Sequence, residues 1–159
     1  MPSLATVRIY VAIRKPDDRS KLEDQLVLDG ADVSSFPTAS AVWEVVQARP
    51  ARFIITDQRF GSEFDGLELV RRIRKYCPQP YIYVLMRSVR EQLKDIQEGL
   101  KTGVDGYLVK PHNPFQIRSQ VLVGLRWLTY IDSVNAVGKI EVAKPKTGAR
   151  AVNAGATAK

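Results

Sequence analysis

Phe53-Ile54-Ile55-Thr56-Asp57 is followed by a polar loop, Gln58-Arg59-Phe60-Gly61-Ser62-Glu63-Phe64, and then by Asp65-Gly66. Three apolar residues in a row read as a strand buried on both faces, because a half-exposed strand would alternate. Asp57 closes that strand. In an open parallel α/β sheet, ligands and chemistry lie just beyond the carboxyl ends of the strands. Asp57 therefore stands where a reactive carboxylate is useful. The plainer alternative is that it caps the turn that follows.

Working outward, Val7–Ile13 reads as a first strand. Pro16-Asp17-Asp18 opens a helix, with acids in the turn where they favour the dipole. Leu22, Leu26 and Val27 recur at helical spacing, and Gly30 ends the helix. Ala31–Phe36 is a short second strand. Val42, Val45 and Val46, with Trp43, form a second helix that stops near Pro50. Beyond Gly66, Leu67, Leu69, Val70 and Ile73 line a third helix whose outer face carries Arg71, Arg72, Arg74 and Lys75. That basic run reads as a solvated helix face. Pro78 and Pro80 break the chain before a fourth strand, Tyr81–Met86. Leu93, Ile96 and Leu100 share one side of a fourth helix, ended by Gly103. Tyr107–Val109 is a fifth strand running into Lys110-Pro111. Phe115, Ile117, Val121, Leu122, Leu125 and Leu128 belong to a long fifth helix. Five alternations of strand and helix predict a parallel sheet covered by helices on both faces.

The 159 residues fit one domain with an extension. No apolar run approaches the ~20 residues that span a bilayer, and Met1–Arg8 lacks the pattern of a secretory signal. Cys77 is the sole cysteine, so no intrachain disulfide forms, and the expected setting is cytoplasmic. Residues 1–132 hold 19 basic and 16 acidic side chains, a net of +3, while residues 133–159 hold 5 and 1, a net of +4. The charge thus belongs largely to a tail in which periodicity fades and Ala, Gly, Lys and Thr dominate. We expect a domain over 1–132 and a basic, flexible tail over 133–159. The tail has no aromatics for stacking, so nucleic-acid binding is not expected.

The five βα units, Asp57 with Asp65-Gly66-Leu67-Glu68, and Gly103-Val104-Asp105-Gly106-Tyr107-Leu108-Val109-Lys110-Pro111 together resemble the receiver domain of bacterial two-component response regulators. The resemblance covers Val7 to Leu128. It implies a flavodoxin-like, doubly wound, five-stranded parallel sheet with five helices, here as a stand-alone receiver and not an enzyme. It further implies transfer of a phosphoryl group from a phosphohistidine to Asp57, a carboxylate nucleophile. Lys110 would contact the phosphoryl group, and Tyr107 would be the switch aromatic. The bond before the proline is usually cis in that family. The implied partners are a sensor histidine kinase or phosphotransfer protein. An output partner would dock on the face of the fourth helix, fifth strand and fifth helix, where Gln92, Asp95, Lys101, Tyr107 and Arg118 are candidates. A homodimer is a further expectation.

The departures from the family pattern are informative. Its acidic pair after the first strand, which holds Mg²⁺, is replaced by Ile13 and Arg14. We expect no metal site and no cofactor, since Mg²⁺ prefers several hard oxygens and one carboxylate remains. The hydroxyl that ends strand four is replaced by Met86, which cannot donate a hydrogen bond. The loop after Asp57 is one residue longer than usual and carries Arg59. Asp57 would then be ringed by Arg14, Arg59, Arg87 and Lys110. Arg14 is expected to take the metal's place, either holding Asp57 in a fixed salt bridge or stabilising a phosphoryl group without metal. Sliding the frame to recruit Asp17 and Asp18 would put Leu22 and Leu26 out of register with the sheet. Two functions follow: a phospho-acceptor in a relay, or a pseudo-receiver that docks proteins regardless of phosphate. A phosphatase of the aspartyl-phosphate type would need an acid two residues after the nucleophile, where Arg59 stands. A nucleotide or flavin site would need glycines after the first strand, where Arg14-Lys15-Pro16 has none. His112 is the sole histidine, so a histidine-based metal site is not expected.

Overall fold

The computed structural model describes residues 4, 7–89 and 93–142. The elements alternate throughout: β1 (Arg8–Ala12), α1 (Pro16–Leu28), β2 (Asp32–Phe36), α2 (Ala39–Val46), β3 (Phe53–Asp57), α3 (Gly66–Tyr76), β4 (Tyr83–Val89), α4 (Leu93–Thr102), β5 (Gly106–Lys110) and α5 (Pro114–Val142). All strand pairs are parallel, in the order β2-β1-β3-β4-β5. This is the five-stranded parallel α/β fold predicted above. The order reverses direction between β1 and β3, the place where open sheets of this kind leave a crevice for ligands.

The helix ends follow local chemistry. Pro16 takes the first helical position of α1, and Gly30, at φ 94°, lies two residues beyond its last residue. The Thr38 hydroxyl caps α2 by accepting from the Ala41 amide, and the Asp65 carboxylate caps α3 by accepting from the Glu68 amide at 2.9 Å. At the start of α5, Asn113 and Gln116 exchange side-chain hydrogen bonds with each other's amides, at 2.8 and 2.9 Å. That reciprocal pair satisfies two amide donors.

Alternation along the central strands splits the core in two. Ile9, Val11, Phe53, Ile55 and Leu85 pack against Leu22 and Leu26 of α1 and Ile117, Val121 and Leu125 of α5. Tyr10, Ala12, Ile54, Val84 and Met86 pack against α2 and α3 on the other face. Each central strand is therefore apolar on both sides, which is why β3 shows no alternation.

Three expectations change. Strand four begins at Tyr83 rather than Tyr81 and continues to Val89. Arg87, which lies beyond the expected strand end at Met86, stays in the sheet because its charge is paired beneath the surface. Leu100 does not share the inner side of α4: it is exposed, and Gly99 is buried instead. The chain divides into compact units 1–129 and 130–159. The segment expected to be flexible from residue 133 is helical as far as Val142, because extending a helix costs far less than starting one and no proline intervenes before Pro145. Residues 143–159 lie outside the described residues.

Candidate functional site

Asp57 ends β3 and is 6% exposed. Both of its carboxylate oxygens are engaged. Oδ2 accepts the backbone amide of Arg14 at 2.9 Å. Oδ1 lies 3.1 Å from Arg87 Nε and 3.7 Å from Lys110 Nζ. The N–H of Arg87 Nε is not aimed along a hydrogen bond, and both Oδ1 and Nε are buried without one. The contact is an ion pair held by proximity.

Arg87 is buried because β4 pairs directly with β3, setting Asp57 opposite it in the register. Its Nη2 also donates to Asp18 Oδ2 at 3.1 Å, and Lys110 Nζ lies 3.8 Å from the same oxygen. Asp18 sits in the first turn of α1. Burial pushes its pKa up, but the hydrogen bond and charge of Arg87 and the charge of Lys110 outweigh that and hold it below the ordinary carboxylate range. Lys110 ends β5, and the bond from it to Pro111 is cis. Burial, only partly offset by the attraction of Asp57, lowers the Lys110 pKa. The site is thus a quartet, two carboxylates and two cations, drawn from β3, α1, β4 and β5.

Gly66 lets the loop close over this site. A Cβ there would collide with the Asp57 carbonyl oxygen and stand 3.1 Å from Gln58 Cα. The Gly66 amide donates to the Gln58 carbonyl, and the Gln58 amide to that of Arg87. The loop after Asp57 is therefore tied to both flanking elements.

The expected residues divide between those that reach Asp57 and those that do not. Lys110 reaches it. Arg14 reaches it only through its main chain: the side chain is exposed, and Nη1 lies 3.8 Å from where a Cβ on Gly61 would stand. Arg59 pairs with Asp95 at 2.7 Å and is 65% exposed. The guanidinium beside Asp57 belongs to Arg87, not to Arg14 or Arg59. The reason is reach: β4 runs alongside β3, whereas the residues after β1 turn outward into α1. Met86 does not mark the end of strand four. It is fully buried three residues inside, with its methyl against Gly66. The hydroxyl near the strand end is that of Ser88, which lines the cavity above Asp57 and donates to the Val89 carbonyl. Ile13 is buried in the core on the α1 side.

Two participants were missed from the sequence. Asp18 was set aside on helical register, yet α1 keeps Leu22 and Leu26 buried while turning Asp18 inward. Its signal was an acid in the first turn of the helix that follows β1. Ser88 was masked by placing the strand end at Met86.

Tyr107 is turned inward. Its hydroxyl donates to the Asp95 carbonyl at 3.2 Å, and its ring fills the space left by the absent side chain of Gly99. Burial, with the charges of Asp95 and Glu98, pushes its pKa up to about 12. Of the docking candidates, Lys101 is exposed, while Asp95 is engaged with Arg59. Arg118 pairs with Asp29 at the end of α1, away from that face. Gln92 lies outside the described residues.

The residues present do not fit Mg²⁺. Asp57 is contacted by cations and an amide, and the other nearby carboxylate is committed to Arg87 and Lys110. Among the described residues no three His, Cys, Asp or Glu side chains cluster as a metal site.

Comparison with known proteins agrees with this geometry. The response regulator receiver domain family matches residues 14–122. The chain is 27% identical over 117 residues to an uncharacterized 14.6 kDa protein of Leptolyngbya boryana, covering 74% of this chain and 88% of that protein. It is 28% identical over 129 residues to the transcriptional regulatory protein CseB of Streptomyces avermitilis, covering 80% of this chain but only 53% of CseB. Among solved structures, CheY4 of Vibrio cholerae superposes with a TM-score of 0.68 at 21% identity, over 74% of this chain and 98% of that one. Full-length FixJ of B. japonicum gives 0.73 at 22%, over 87% and 67%. Those structures share the fold. The chain belongs to the response regulator receiver domain family of two-component signalling. Receivers are signalling modules that work with kinases and output domains. No helix among the described residues is long and apolar enough to cross a membrane.

Proposed function

We propose that this chain is a pseudo-receiver: an ion-pair lock on Asp57 sets its state, and it signals as a protein-docking module rather than through Mg²⁺-dependent phosphotransfer. The observation that carries this is the Arg87 guanidinium at 3.1 Å from Asp57 Oδ1, inside the sheet. A buried guanidinium there occupies the nucleophile and repels a divalent cation. Asp18 holds the far side of Arg87, so the clamp is braced from α1. The inward Tyr107 is consistent with one fixed arrangement of the face formed by α4, β5 and α5.

A second reading keeps Asp57 as a phospho-acceptor, with Arg87 and Lys110 neutralising the phosphoryl oxygens in place of metal. It is favoured by Oδ1, which makes no hydrogen bond, and by Ser88 in the same cavity of about 960 Å³. One experiment separates the two. The chain and its Asp57→Asn variant are incubated with phosphoramidate, with and without Mg²⁺, and the phosphorylated fraction is measured by intact mass. The lock predicts no adduct under either condition. An adduct on wild type alone that is indifferent to Mg²⁺ establishes the second reading. Ready labelling that requires Mg²⁺ overturns both.

A further inference from the structure

Arg87 faces two cavities. One lies above Asp57. The other, of about 700 Å³, lies between the first turns of α1 and the loop joining β5 to α5. Its size falls within the range of small-molecule sites, roughly 300–1,000 Å³. Leu22, Val89, Pro111 and Ile117 give it apolar walls. Lys21, Arg87 and Lys110 bring three cations against the single carboxylate of Asp18. Nδ1 of His112, one of its lining residues, is buried without a hydrogen bond, whereas buried polar groups are ordinarily satisfied. Arg87 turns its Nε to Asp57 and its Nη2 to Asp18, which lines the cavity.

We propose that this cavity binds a small organic anion, an apolar body bearing one carboxylate, and that occupancy is felt at Asp57 through Arg87. The excess of cations selects an anion. The apolar walls favour an amphipathic acid over a strongly hydrated ion such as inorganic phosphate. A bound carboxylate competes with Asp18, whose side chain is 36% exposed against 2% for Arg87 and is the more easily displaced. Any shift of Arg87 toward the ligand loosens its contact with Asp57, and by linkage the state of Asp57 alters affinity for the anion by the same factor.

The test is an NMR titration of the full chain with 2-naphthoate and with its uncharged counterpart 2-naphthamide. Naphthoate is expected to shift the amides of Lys21, Gln25 and His112 and the Arg87 Nε–H resonance saturably. Naphthamide, and naphthoate on the exposed-site variant Lys21→Glu, are each expected to bind about tenfold more weakly, the scale of one lost or reversed charge contact. Absence of saturable shifts at these residues, equal affinity for acid and amide, or indifference to Lys21→Glu overturns the site. Movement of the other resonances with Arg87 Nε–H unmoved overturns its coupling to Asp57. None of these outcomes depends on whether Asp57 accepts a phosphoryl group.

Discussion

Arg87 is almost wholly buried, and its charge is tolerated because carboxylates flank it on both sides. Removing one member of such a buried set leaves the others uncompensated, which costs more than the pair contributes net. Arg87→Met is therefore expected to destabilise the fold by about 3 kcal/mol in urea unfolding. In the double variant with Asp57→Asn the loss should be clearly smaller than the sum of the single losses, since the neutral amide no longer needs the cation. Additive losses would show that the two side chains do not interact. His112 offers a second check. Burial, and then the cations Arg87 and Lys110, lower its pKa below the ordinary value, the attraction of Asp18 and Asp57 notwithstanding. The unfolded chain therefore binds the proton first as pH falls. Stability should decline between pH 7 and 5, and less so in His112→Gln, because Asp18, held below the ordinary carboxylate range, stays ionised across that window. Thermal unfolding at the two pH values measures the difference.

Two predictions belong to single elements. The Asp65 carboxylate is the cap of α3, so Asp65→Ala should cost about 1 kcal/mol without touching the quartet. Equal stability in urea would show that the cap contributes nothing. In α4, a methyl group at Gly99 would collide with the Tyr107 hydroxyl, the movable end of that side chain. Gly99→Ala should therefore drive Tyr107 outward while leaving the sheet intact. The readout is Tyr107 fluorescence quenching or its phenol titration, which should fall from about 12 toward the exposed value. An unchanged titration means that α4 moves instead. The basic face of α3 is partly neutralised within the chain. Arg71 pairs with Glu68 and Glu98, and Arg72 pairs with Glu68 and lies over the rings of Trp43 and Phe64.

On the scale of the whole molecule, the sheet and both cores lie within residues 1–129, with helices from both halves of the chain closing them. A chain ending at residue 132 is expected to keep its cooperative unfolding and its midpoint to within a few degrees, a change of roughly 1 kcal/mol at most. A larger loss, read by calorimetry, would assign the residues beyond 132 a share in the stability of the domain.

The five βα units were legible because each carries its own signal: the unbroken apolar run of Phe53–Ile55, Pro16 ahead of an amphipathic turn, Gly30 and Gly103 at helix ends. Asp57 and Lys110 were legible because both close strands, and chain topology alone brings strand ends to one crevice. Arg87 was legible only as one of four cations around Asp57, not as the guanidinium that reaches it. Position in sequence favoured Arg14, the residue that follows β1, but its side chain leaves with the turn while its amide remains. Register between β3 and β4 placed Arg87 there, and the pitch of α1 brought Asp18 to meet it. Periodicity is a local property that a short stretch of chain can display. Which charge neutralises which depends on distances across the sheet, and only the folded chain sets those.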